Sequence, residues 1–83
     1  MPKPKKSYYG IYRGVVLNNV DPKLSKRLLV QVPALTEAQS NWAEPSLPVG
    51  KFSLPAIGAG VWIMFEEGDP VRPVWIGTRY QRL

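Results

Sequence analysis

Apolar residues in this chain alternate with polar ones over short stretches instead of recurring every three or four positions, a pattern that predicts strands and little helix. Residues Tyr8 to Val20 are rich in β-branched and aromatic side chains and read as a first strand, with Gly10 and Gly14 marking bends or a close backbone crossing. Asp21-Pro22-Lys23-Leu24-Ser25-Lys26 is its turn, because Asp hydrogen-bonds backbone two residues on and Pro presets φ at the next position. Arg27 to Val32 sets Leu28, Val30 and Val32 against Arg27, Leu29 and Gln31, the period of a strand with one buried face. Pro33 to Lys51 has three prolines and a polar middle and reads as a long loop, with a short helical turn at Glu37 to Ser40 and Trp42 inside it. A Gly-rich turn ending at Gly60 leads into Val61-Trp62-Ile63-Met64-Phe65, the strongest strand in the chain. Glu66 to Pro70 reverses direction, with Gly68 free to take positive φ ahead of Asp69 and Pro70, and Pro73 to Gly77 returns as the second arm of a hairpin.

Composition sharpens this picture. Nine prolines and seven glycines leave no window of a dozen residues that keeps a helical period and escapes a breaker. Four or five short strands in 83 residues fit a closed or nearly closed barrel better than a sandwich, which needs more strands. A chain this short buries only about three-fifths of its unfolded surface. With no cysteine and no histidine, neither disulfides nor a histidine- or thiolate-bound metal can supply the missing stability, which leaves a partner subunit. The absence of thiols also leaves the redox compartment open. No run of about 18 apolar residues is present and the opening residues lack the apolar stretch of a signal peptide, so a soluble chain is expected.

The formal charge of +5 includes Lys3, Lys5 and Lys6 in a Pro-rich leader, expected to be flexible over residues 1–8 ahead of a domain over 9–83. The remainder carries eight basic and six acidic side chains and is close to balanced. Phosphate-backbone binding needs a concentrated stripe of Lys and Arg, and the body scatters them. The leader lysines with Tyr8 and Tyr9 admit a nucleic-acid reading, since aromatic rings stack on bases; a disordered basic tail, a common feature, is the favoured reading.

An enzyme is not expected. Without His or Cys, catalysis would need carboxylates or a Lys-activated hydroxyl, and no such arrangement is visible. Glu66, Glu67 and Asp69 form the one acidic cluster, which is also what a solvated hairpin turn contains. Arg72 lies within pairing reach of Asp69 or Glu66. No cofactor is implied.

Five consecutive apolar residues at Val61 to Phe65 mean that both faces of that strand are apolar, whereas a barrel strand needs one face inside. With Val61, Ile63 and Phe65 filling the barrel, Trp62 and Met64 project outward with the composition of an interface core. The competing arrangement is that the loop carrying Trp42 folds over them. Trp75 and Tyr80 are expected to extend the same surface, so the candidate protein interface comprises Trp62, Met64, Trp42, Trp75 and Tyr80.

Gly14-Val15-Val16, Asp21-Pro22 and Arg27 ahead of an alternating strand resemble the opening of the OB-fold domain in the central spike proteins of contractile phage tails, with the same spacing. Leu54-Pro55, Ile57-Gly58, Val61, Phe65, Glu67-Gly68-Asp69-Pro70, Arg72-Pro73 and Gly77 resemble a stretch shared by phage spike and baseplate hub proteins and type VI secretion spike proteins. The resemblance spans roughly Gly10 to Tyr80. It departs at Lys26, where the family often has Gly, and at the end of the chain: the needle and lysozyme segments of larger members are expected to be absent.

What the resemblance implies is an all-β, five-stranded OB-type barrel with a long loop between strands. It would be a structural adaptor of a tail baseplate hub or central spike, assembling with copies of itself as a trimer and with hub or spike proteins. The location implied is the virion, after synthesis in the host cytoplasm, with no stable membrane insertion. The fold alone also permits a nucleic-acid-binding OB module, and a fragment of an enzyme completed by another chain is a third option. Outward Trp62 and Met64 and the dispersed charge favour the adaptor.

Overall fold

The computed structural model describes residues 7–35, 40–47 and 53–79. Its five strands are β1 (Tyr12–Asn18), β2 (Leu28–Gln31), β3 (Asn41–Pro45), β4 (Gly60–Phe65) and β5 (Pro73–Thr78), with one 3-10 turn at Glu66–Gly68. They close into a barrel in the order β1-β2-β3-β5-β4, all neighbours antiparallel except the parallel pair β3 and β5. This is the small closed barrel expected from the strand spacing, and it is consistent with the OB type that the resemblance implied.

Closure depends on β1 serving two neighbours. Its first half, Tyr12 to Val15, pairs with Ile63 to Gly60 of β4. From Val15 onward it pairs with β2, through a register shift between Val16 and Asn18 that bends the strand. Ahead of that shift, opposite Val61, Gly14 is buried, and a Cβ there would lie 2.6 Å from Cγ1 of Ile63. Of the two roles expected for Gly14, a bend or a close crossing, the structure shows the close approach.

The core is Val16, Leu28, Val30, Val32, Ala43, Val61, Ile63, Phe65 and Trp75. The alternation read from the sequence holds on β2, where Leu28 and Val30 are buried, and on β4, where Val61, Ile63 and Phe65 are. An aromatic cluster closes the barrel at the start of β1: Tyr12 and Phe65 meet with centroids 5.5 Å apart, and Tyr8 packs on both at 6.4 and 6.1 Å. Tyr8 also donates its backbone N–H to the Gly68 carbonyl at 2.8 Å. Tyr8, assigned to the leader by sequence reading, is thus tied to the barrel.

Two expectations are corrected. Trp42 does not lie in a loop but on β3, where Leu28, Leu29 and Val30 pair with Ala43, Trp42 and Asn41. Only Ala43 of that strand is fully buried, so Asn41-Trp42-Ala43-Glu44-Pro45 shows no apolar alternation, and tertiary pairing to β2 and β5 makes it a strand. Trp75 is not on the surface but in the core, 1% exposed. A register shift between Trp62 and Ile63 sets Trp62 opposite Gly77 and Ile63 opposite Trp75, so Trp75 faces inward with Ile63. The helical turn expected at Glu37 to Ser40 falls mostly outside the described residues.

Candidate interaction surface

Three surfaces carry the residues singled out above. On the outside of β4, Met64 is 42% exposed and stands opposite Val74, while Trp62 is half-buried between Arg13 of β1 and Gly77 of β5. These two point away from the core because their neighbours Val61, Ile63 and Phe65 fill it. The outward strand face is apolar, as the run of five apolar residues required.

The second surface is a cleft of about 210 Å³ between the β1–β2 turn and the β4–β5 hairpin, lined by Arg27, Trp42, Glu44, Glu66, Val71, Arg72 and Pro73. The Arg27 guanidinium lies over the Trp42 ring, 5.4 Å from its centroid. Both arginines are paired with carboxylates. Arg27 grips Asp21 with Nε to Oδ2 at 2.9 Å and Nη2 to Oδ1 at 2.8 Å. Arg72 meets Glu66 at 3.1 Å in an exposed pair worth about 0–1 kcal/mol.

Asp21 organises the whole β1–β2 turn. Besides the two-point grip of Arg27, its carboxylate accepts backbone N–H groups from Lys23 at 2.9 Å, Ser25 at 3.0 Å and Arg27 at 3.2 Å. The Arg27 hydrogen bonds hold the Asp21 carboxyl well below the usual carboxylate range; burial opposes this, and the Lys23, Arg27 and Ser25 amides reinforce it. Arg27 is raised in turn, chiefly by its bond to Asp21. The lock holds Leu24 and Lys26 at φ of 54° and 59°, in the left-handed region. Glycine adopts that conformation without strain, which is the physical reason a glycine suits the position of Lys26.

The third surface is the hairpin, whose turn residues Gly68, Asp69 and Pro70 do what their types suggested. Gly68 takes φ of 75°, and a Cβ there would meet the Tyr9 ring at 2.9 Å. Asp69 accepts the Val71 N–H on Oδ1 at 3.1 Å and its carbonyl accepts the Arg72 N–H at 3.0 Å. Among the described residues no group of three acidic side chains is placed to hold a metal ion.

The expected interface set is therefore divided. Trp62 and Met64 share one outward face, Trp42 lines the cleft under Arg27, Trp75 is in the core, and Tyr80 lies outside the described residues, as do Lys3, Lys5 and Lys6. Tyr8 and Tyr9, linked above to a nucleic-acid reading, differ: Tyr8 is packed in the aromatic cluster, whereas Tyr9 is exposed. Sequence reasoning took Asp21 as a turn former and missed the lock. The available signal was the six-residue separation of a buried-type Asp-Pro from an Arg at the head of a strand.

Residues 12–80 match a family model described as the type VI secretion system/phage-baseplate injector OB domain. Comparison with curated proteins gives no match.

Proposed function

The chain belongs to the type VI secretion system/phage-baseplate injector OB-domain family, and from that membership we propose that it is an adaptor of the baseplate hub or central spike. Structural domains of this family serve in phage tails or related injection machines and assemble with other tail or spike proteins. The finer reading is that this chain forms a trimer about the tail axis and joins one component to the next through complementary surfaces. One observation supports it most: the barrel is closed and its core filled, yet β4 still presents Met64 and Trp62 outward. Aromatic and Met residues on an outward face are the composition of an interface centre, and a Trp anchor there contributes about 2 kcal/mol or more.

The test is assembly of the purified chain with its neighbouring hub or spike protein, followed by light scattering and calorimetry. Trp62→Glu is expected to keep β-type circular dichroism and lose assembly, because it places a charge in a desolvated contact. A folded Trp62→Glu that assembles like the wild type counts against the reading. So does sub-micromolar binding of single-stranded DNA at physiological salt by the chain lacking residues 1–6, since the two cleft arginines are already paired with carboxylates.

A further inference from the structure

The β1–β2 turn presents an apolar surface that the adaptor reading does not use. Val20 is 70% exposed and Leu24 is 88% exposed, and with Leu54 they line a hollow of about 260 Å³ together with Asn19, Asp21 and Lys26. The loop after β3 is fastened beside the turn: Asn19 Nδ2 donates to the Pro55 carbonyl at 3.0 Å, and Gly58 N–H donates to Val16 at 2.8 Å. Leu24 is held in solvent with a left-handed backbone by the five hydrogen bonds that Asp21 accepts. A strained, exposed leucine on an over-determined turn is an outlier that points to use.

The charge around it indicates what it meets. From Val20 to Arg27 the turn carries three basic residues and one acidic one, a net +2. From Glu66 to Arg72 the β4–β5 hairpin carries three acidic residues and one basic one, a net −2, and it bears Val71, 65% exposed. Within one chain the hairpin reaches the turn only at the Arg27 cleft and lines none of the hollow, so a hairpin seated in the hollow belongs to a second copy.

We infer that the Val20–Leu24–Leu54 hollow binds the acidic β4–β5 hairpin of a second copy, with Val71 against the leucines and Glu67 facing Lys23. The inference rests on the adaptor reading and gives its contact between copies a surface other than the β4 face. Such a contact is head-to-tail, and it closes into a ring if the rotation permits. Complementary charge at its rim fixes register and makes it sensitive to salt.

Sedimentation velocity of the full chain over a micromolar-to-millimolar range is the test. The wild type is expected to gain mass with concentration. Leu24→Asp is expected to weaken self-association about tenfold or more with an unchanged circular dichroism spectrum. Lys23→Glu and Glu67→Lys are each expected to weaken it severalfold, and the double variant to restore it. A wild type that stays monomeric, a Leu24→Asp that associates normally, or a charge swap without rescue overturns the inference. If Trp62→Glu abolishes self-association while Leu24→Asp spares it, this inference fails and the adaptor reading stands. If Leu24→Asp abolishes it and no hub or spike protein binds, the adaptor reading fails and this contact stands.

Discussion

Gly14→Ala isolates the closest packing in the barrel. Gly14 lies on β1 opposite Val61, and an added Cβ would sit 2.6 Å from Ile63 Cγ1, 3.4 Å from Val61 Cγ2 and 3.5 Å from the Gln31 carbonyl. Two effects oppose each other. Removing a strand glycine restricts the unfolded chain and favours the native state by about 0.5–1 kcal/mol. Overpacking a well-filled core costs about 1–3 kcal/mol. The steric effect wins here because Ile63 and Val61 are fully buried and Cγ1 is fixed by χ1, so relief requires Ile63 to leave its rotamer or the strands to part. The net expectation is a loss of about 1–2 kcal/mol, seen as a lower urea midpoint by tryptophan fluorescence with the slope m unchanged. Gly77→Ala is the control, since a Cβ there meets nothing within 4 Å, and it is expected to be neutral or stabilising. Ile63→Ala on the Gly14→Ala background should cost less than the sum of the single changes. A Gly14→Ala protein as stable as the wild type, or a Gly77→Ala loss of equal size, refutes the reasoning.

Three further outcomes are expected. Phe65→Ala, which removes a core ring and its contacts with Tyr8 and Tyr12, should cost about 3–5 kcal/mol and leave little folded protein by circular dichroism. Asp21 is lowered in the folded state, so its contribution is fully present above the ordinary carboxylate value of 3.8 and is lost as pH falls below it toward the native pKa; thermal melts should show this acid limb in the wild type and not in Asp21→Asn. Lys26→Gly should raise the unfolding free energy by about 0.5–1 kcal/mol, read from urea unfolding, because glycine relieves the left-handed strain at φ of 59° by more than it adds unfolded entropy; a loss of stability means the side chain holds the turn.

Much of the fold was legible in the sequence because it depends on local rules. Alternation at Leu28, Val30 and Val32 and at Val61, Ile63 and Phe65 declared the inward face of two strands, since side chains on a strand leave no third direction. Gly68, Asp69 and Pro70 announced the hairpin through the φ values and hydrogen bonds their types permit. Spacing of the same kind carried the family resemblance, and it identified the outward Trp62 and Met64 by subtraction from the core. What only the tertiary structure decided depends on partners distant in the chain. Asn41–Pro45 became a strand because β2 and β5 offer it hydrogen bonds, and of its five residues Trp42 alone favours that outcome. Trp75 turned inward because a register shift against β4 assigned its face, and register belongs to a pair of strands. The Asp21 lock and the exposure of Leu24 follow from a turn closed on itself by Arg27. That closure sets backbone angles which residue types alone leave free.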